Sequence, residues 1–88
     1  MPLTISSLTA ADYRAMADAA RRATNLGRVS GEAVVDLGRT NLRVRFSGGT
    51  YIARAGGITA SCTAGPVLAM RAWATKAEEE AQRLEAAS

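Results

Sequence analysis

The chain has 88 residues, 48% apolar and 22% charged, with 11 basic against 8 acidic side chains and a formal net charge of +3. This is the composition of a single small soluble domain over 1–88 with a thin core; no apolar run is long enough for a membrane span or a secretory leader. Histidine is absent and Cys62 is the single cysteine, which excludes His-based acid–base chemistry, Cys/His metal sites and an internal disulfide.

The first element is signalled by Leu8-Thr9-Ala10-Ala11-Asp12-Tyr13. Thr9 and Asp12 have the spacing of a capping box, and Leu8 and Tyr13 that of a hydrophobic staple. Tyr13, Met16, Ala17, Ala20 and Ala23 then recur at helical spacing as one apolar stripe. Asp18 is placed to pair with Arg21 or Arg22, and Gly27 is expected to close the helix.

The period changes after that. Glu32–Leu37, Leu42–Phe46, Thr50–Arg54 and Ile58–Cys62 are short runs separated by Gly-containing segments, Gly38-Arg39-Thr40-Asn41, Ser47-Gly48-Gly49 and Ala55-Gly56-Gly57. Alternation is clearest in Leu42–Phe46 and Ile58–Cys62, and connections of three to four residues with Gly predict antiparallel hairpins. Thr50–Arg54 is ambiguous, because Tyr51 and Ile52 compete for the core face.

Pro66 sits where a first-turn proline belongs, and Val67, Met70, Trp73, Ala74, Ala77, Ala81 and Leu84 form a stripe over about 66–86. The second half of this helix is highly charged outside that seam, so its last two turns are expected to project into solvent or against a partner. The predicted fold class is α+β: a two-layer α-β-β-β(-β)-α domain whose antiparallel meander carries both helices on one face.

Charge is distributed unevenly. Ten of the eleven basic residues are Arg, Lys76 is the only Lys, and nineteen residues are Ala. Arg-, Ala- and Gly-rich usage is what a GC-rich coding sequence gives; Arg is also the side chain best suited to bidentate phosphate or carboxylate contacts. Residues 1–64 carry eight Arg against Asp12, Asp18, Glu32 and Asp36, a net of +4; residues 65–88 carry Arg71, Lys76 and Arg83 against four Glu, a net of −1.

If Leu42, Val44 and Phe46 face the helices, Arg43 and Arg45 face away, with Arg54 and Arg39 at neighbouring strand and turn ends. These four, with Tyr51 as a stacking platform, are the candidate residues for binding a partner or phosphates; the plain alternative is a solvated face that needs charge. The Gly-rich turns match no phosphate-loop or dinucleotide fingerprint. Hydroxyls without a histidine and unpaired carboxylates offer no catalytic site, so neither an enzyme nor a cofactor nor a metal is expected. Cys62 is in phase with Ile58 and Ala60, as a buried small residue. A second expectation is a homodimer contact through Cys62 or through the narrow seam of Ala77, Ala81 and Leu84.

Two resemblances add to this reading. Ile58-Thr59-Ala60-Ser61 leading into the Ala-rich stretch 64–74, within the α-β-β-β-α order, resembles the second half of a double-stranded RNA-binding domain. That family opens its second helix with a Lys pair, whereas Thr63-Ala64-Gly65-Pro66 has none. Over the whole chain the plan is similar to small phage-encoded inhibitors of the anti-CRISPR type, which share no common motif. That resemblance implies a non-enzymatic protein, acting in the cytoplasm of a bacterial host, that occludes a CRISPR effector complex. The alternatives are a small basic nucleic-acid-binding protein using the same Arg-bearing face, and a dimeric antitoxin or assembly subunit.

Overall fold

The computed structural model describes residues 8–25, 32–38 and 40–87; the expected helix-closing Gly27 and the candidate Arg39 lie outside them. The element order is α1 (Ala10–Asn25), β1 (Ala33–Asp36), β2 (Asn41–Ser47), β3 (Thr50–Ala55), β4 (Ile58–Cys62) and α2 (Pro66–Ala87). The strands form one antiparallel sheet in the order β1-β2-β3-β4. Both helices pack on one side of it through a single apolar core, the two-layer α+β architecture predicted from the alternation of periods.

α1 begins as its residues dictate. The Thr9 backbone N–H donates to Asp12 Oδ2 at 2.9 Å, and the Asp12 N–H donates to Thr9 Oγ1 at 3.2 Å, which closes the capping box. Arg22 takes Asp18 one turn back, whereas Arg21 reaches across to Glu78 on α2. Arg14 likewise pairs with Glu85. Two turns forward on α1 thus match two turns back on α2, so the helices run antiparallel.

Small side chains make that approach close. Ala17 and Ala20 on α1, and Ala69, Ala74, Ala77 and Ala81 on α2, are wholly buried. The projection expected for the end of α2 is therefore corrected. Ala81 is buried, Leu84 packs on the core and Glu85 is held by Arg14, so the helix stays on α1 into its final turns. Two of the carboxylates that make this segment look charged, Glu78 and Glu85, serve α1, and Glu80 holds Arg83 on the same helix.

The hairpins are tighter than predicted. Ser47 pairs with Thr50 and Ala55 with Ile58, leaving Gly48-Gly49 and Gly56-Gly57 as two-residue turns. All four glycines have positive φ (57°, 85°, 58° and 80°), the type I′ pattern that continues the right-handed strand twist. The β1–β2 connection closes with Leu37 N–H donating to Thr40 O at 3.0 Å and Gly38 N–H to Asp36 Oδ1 at 2.8 Å.

The helix layer is pinned to one of these turns. Trp73, fully buried, donates its indole N–H to Ala55 O at 3.2 Å and to Ile58 O at 3.1 Å, the carbonyls that flank Gly56-Gly57. Tyr13 donates its hydroxyl to Gly56 O at 2.9 Å. Burial, then the nearby Glu80 carboxylate, pushes the Tyr13 phenol up and keeps it a neutral donor. The largest wholly buried side chains are Trp73, Met16, Leu42, Met70 and Val44, and Tyr13 and Leu37 join them among the buried alanines; each large side chain contributes about 1.5–3 kcal/mol on burial.

Candidate macromolecule-binding face

Strand alternation divides the sheet into a covered and an open face. Leu42, Val44, Ala53, Ala55 and Ala60 point to the helices and are buried. Arg43, Arg45 and Arg54 belong to the other parity and are exposed, as do Thr59 and Ser61. No element covers this side among the described residues: both helices use the inner face.

The register brings the three arginines together. Arg43 pairs directly with Arg54 across β2–β3, and Arg45 lies two residues along β2 from Arg43, opposite Ile52. With Asn41, Ser47 and Ile52 they line a shallow depression of about 490 Å³ on the open face. Like charges directly opposite one another in a sheet repel. None of Arg43, Arg45 and Arg54 is in an ion pair among the described residues; a carboxylate on this side, Glu32, accepts a 3.4 Å hydrogen bond from the Phe46 N–H and lines a neighbouring depression with Arg43 and Arg45. Arg54 Nε makes one local contact, donating to Thr59 Oγ1 at 3.4 Å.

The helix layer is the opposite case. Arg14, Arg21, Arg22 and Arg83 each hold a carboxylate, those of Glu85, Glu78, Asp18 and Glu80. Hydrogen bonds from Arg14 and Arg83 hold the Glu85 and Glu80 carboxyls below their ordinary range. The uneven charge read along the chain thus becomes a difference between layers: the helices are internally neutralised, and the open sheet face keeps a positive excess, its three arginines set against Asp36 and Glu32 at the β1 edge.

Tyr51 does not belong to this site. It shares the parity of Ala53 and Ala55, pairs with Phe46 on one side and Cys62 on the other, and is half-buried on the helix side. Its ring lies 4.8 Å from that of Phe46, tilted by 52°. The tight Gly48-Gly49 turn fixes this register, so Ile52 faces outward in its place. The sequence leaves Ile52 ambiguous against Tyr51, yet period-two counting back from Arg54 puts it among the arginines.

The proposed dimer seam is also reassigned. Ala77 and Ala81 are covered by their own chain, and Leu84 packs on the same core. Cys62 is half-buried on the inner face, where its Sγ accepts a 3.4 Å hydrogen bond from the Ala64 N–H. Among the described residues no cluster of three or more His, Cys, Asp or Glu side chains could hold a metal ion, and no helix is long and apolar enough to cross a membrane. No protein-family model, curated protein or solved structure matches this chain.

Proposed function

We propose that the protein is a non-enzymatic binding module that docks the open face of its sheet onto an acidic surface of a partner protein and blocks that surface by occupying it. The observation that carries this reading is the Arg43–Arg54 cross-strand pair, with Arg45 beside it and none of the three in an ion pair among the described residues. Guanidinium groups held on rigid strands lose little entropy on binding and match carboxylates bidentately. A four-stranded face offers enough area for a few anchors, and steric blocking asks for nothing more.

The specific form of the proposal comes from the resemblance in overall plan to small phage inhibitors: the blocked partner is a nucleic-acid-handling complex of the CRISPR effector type. The second reading is direct binding of a nucleic-acid backbone by the same arginines. It is favoured by their charge and weakened by the position of Tyr51, which leaves the open face without a ring on which bases could stack.

The test is an affinity pull-down of tagged protein from a bacterial lysate containing a CRISPR effector, with and without nuclease, beside a variant carrying Arg43→Glu, Arg45→Glu and Arg54→Glu. The expected result is an effector complex that survives nuclease, is lost in the variant, and fails to cleave its target while the protein is bound. Nucleic acid alone, released by nuclease or moderate salt, would move the reading to the second form.

A further inference from the structure

Two patterns interlock on the open face. In one row across the sheet Val34 stands opposite Arg43, and Arg43 opposite Arg54; in the next, Arg45 stands opposite Ile52, and Ile52 opposite Ser61. Each arginine therefore has an aliphatic neighbour. Arg43 has Val34, Arg45 has Ile52 across the ladder, and Arg54 has Ile52 two residues before it on the same strand. Val34 is 61% exposed, and Ile52 is the one apolar residue lining the arginine depression.

We propose that the occupant of this face is an acidic protein segment that presents an apolar side chain between carboxylates. Ile52 seats the apolar group, and Arg43, Arg45 and Arg54 take the carboxylates. This rests on the reading that the open face is the docking surface, and it narrows the chemistry of the partner.

Charge complementarity and the neighbouring side chains select this occupant over two others. A phosphate backbone would use the arginines but would leave Ile52 and Val34 desolvated against charge, with no gain to offset it. Single-stranded nucleic acid would seek rings, and Phe46 and Tyr51 both have the inner-face parity. A second copy of this chain is a poor complement. Its open face carries the same excess sign, and three of the four α2 carboxylates, Glu78, Glu80 and Glu85, already serve Arg21, Arg83 and Arg14, which leaves only Glu79 to offer. An acidic segment with an apolar residue satisfies both patterns: desolvating the arginines against carboxylates strengthens each pair, and the aliphatic contact excludes water around them.

The experiment is selection of a random dodecapeptide display library on the wild-type chain, counter-selected on the Arg43→Glu, Arg45→Glu, Arg54→Glu variant. Random duplex and single-stranded oligonucleotides are titrated in parallel. The expected result is enrichment of peptides that combine Asp or Glu with a large aliphatic or aromatic residue. Ile52→Ser should weaken those peptides by about tenfold or more, as loss of a buried apolar anchor does, with an unchanged circular dichroism spectrum. Enriched peptides that are acidic only, and indifferent to Ile52→Ser, would overturn this inference and leave the docking face standing. Oligonucleotide binding with a steep salt dependence, or no peptide that the charge-reversed chain loses, would overturn both.

Discussion

Arg43 and Arg54 are direct cross-strand partners on the open face of the sheet, and neither is in an ion pair among the described residues. Their like charges repel across the ladder. Arg54→Glu replaces repulsion by attraction across the ladder, so it should stabilise the isolated domain by about 0.2–1 kcal/mol while abolishing partner binding. Urea unfolding followed by the fluorescence of the single tryptophan checks the first half. A less stable variant would mean that packing of the arginine stems outweighs their repulsion.

Trp73 holds the helix layer to the β3–β4 turn by one N–H shared between two carbonyls. Trp73→Phe keeps most of the apolar volume and removes that donor, leaving Ala55 O and Ile58 O short of a partner. The expected loss is about 1–3 kcal/mol. In the wild-type chain the buried indole should emit at short wavelength and resist iodide, and both properties should vanish together on unfolding.

Gly48 and Gly56 permit a controlled comparison. Both open a two-residue turn with nearly the same φ, 57° and 58°. A Cβ at Gly48 would meet nothing within 4 Å, whereas one at Gly56 would lie 3.1 Å from Leu8 Cδ1 and 3.2 Å from Met16 Cε. Alanine at either position carries the left-handed cost of about 1–2 kcal/mol. Gly56→Ala should lose up to about 1 kcal/mol more, because side chains under the turn must yield. Equal losses in thermal melts would show that Leu8 and Met16 shift freely.

Truncation after Thr75 separates a core helix from a dimerisation arm. It deletes the wholly buried Ala77 and Ala81 and the carboxylates held by Arg14 and Arg21. The shortened chain should show no cooperative melt. A folded, monomeric fragment would restore the idea that these residues serve a second copy.

Acid should weaken the ion pairs of the helix layer, one between the helices and one within α2. The Glu85 carboxyl is held below its ordinary range by the Arg14 hydrogen bond, and that of Glu80 by Arg83. For a carboxyl depressed in the folded state, the unfolded chain takes up its proton first as pH falls. The stabilisation is therefore complete above the usual carboxylate range and is lost as pH drops through the folded-state values. Glu85 and both arginines are exposed and Glu80 is partly so, so the effect should be small and should shrink in salt. Glu85→Gln should flatten the acid limb of a plot of melting temperature against pH, and an unchanged limb would assign it to other carboxyls.

The capping box of Thr9 and Asp12, the two apolar stripes, the glycine turns and the alternation of Leu42–Phe46 are local patterns, and the chain by itself determined the α+β order from them. The same alternation placed Arg43 and Arg45 together, because a period of two leaves no other arrangement once Val44 is in the core. Tertiary structure decided what periodicity leaves degenerate. In Thr50–Arg54 two apolar neighbours competed for one face, and the Gly48-Gly49 turn settled the matter by pairing Tyr51 with Phe46. The α2 seam read as well for a partner helix as for α1, since an alanine stripe has no address until another helix is laid against it. Only the packed layers could show which arginines were neutralised: Glu78 and Glu85 find Arg21 and Arg14 across more than fifty residues of chain, and the sheet arginines form no ion pair among the described residues.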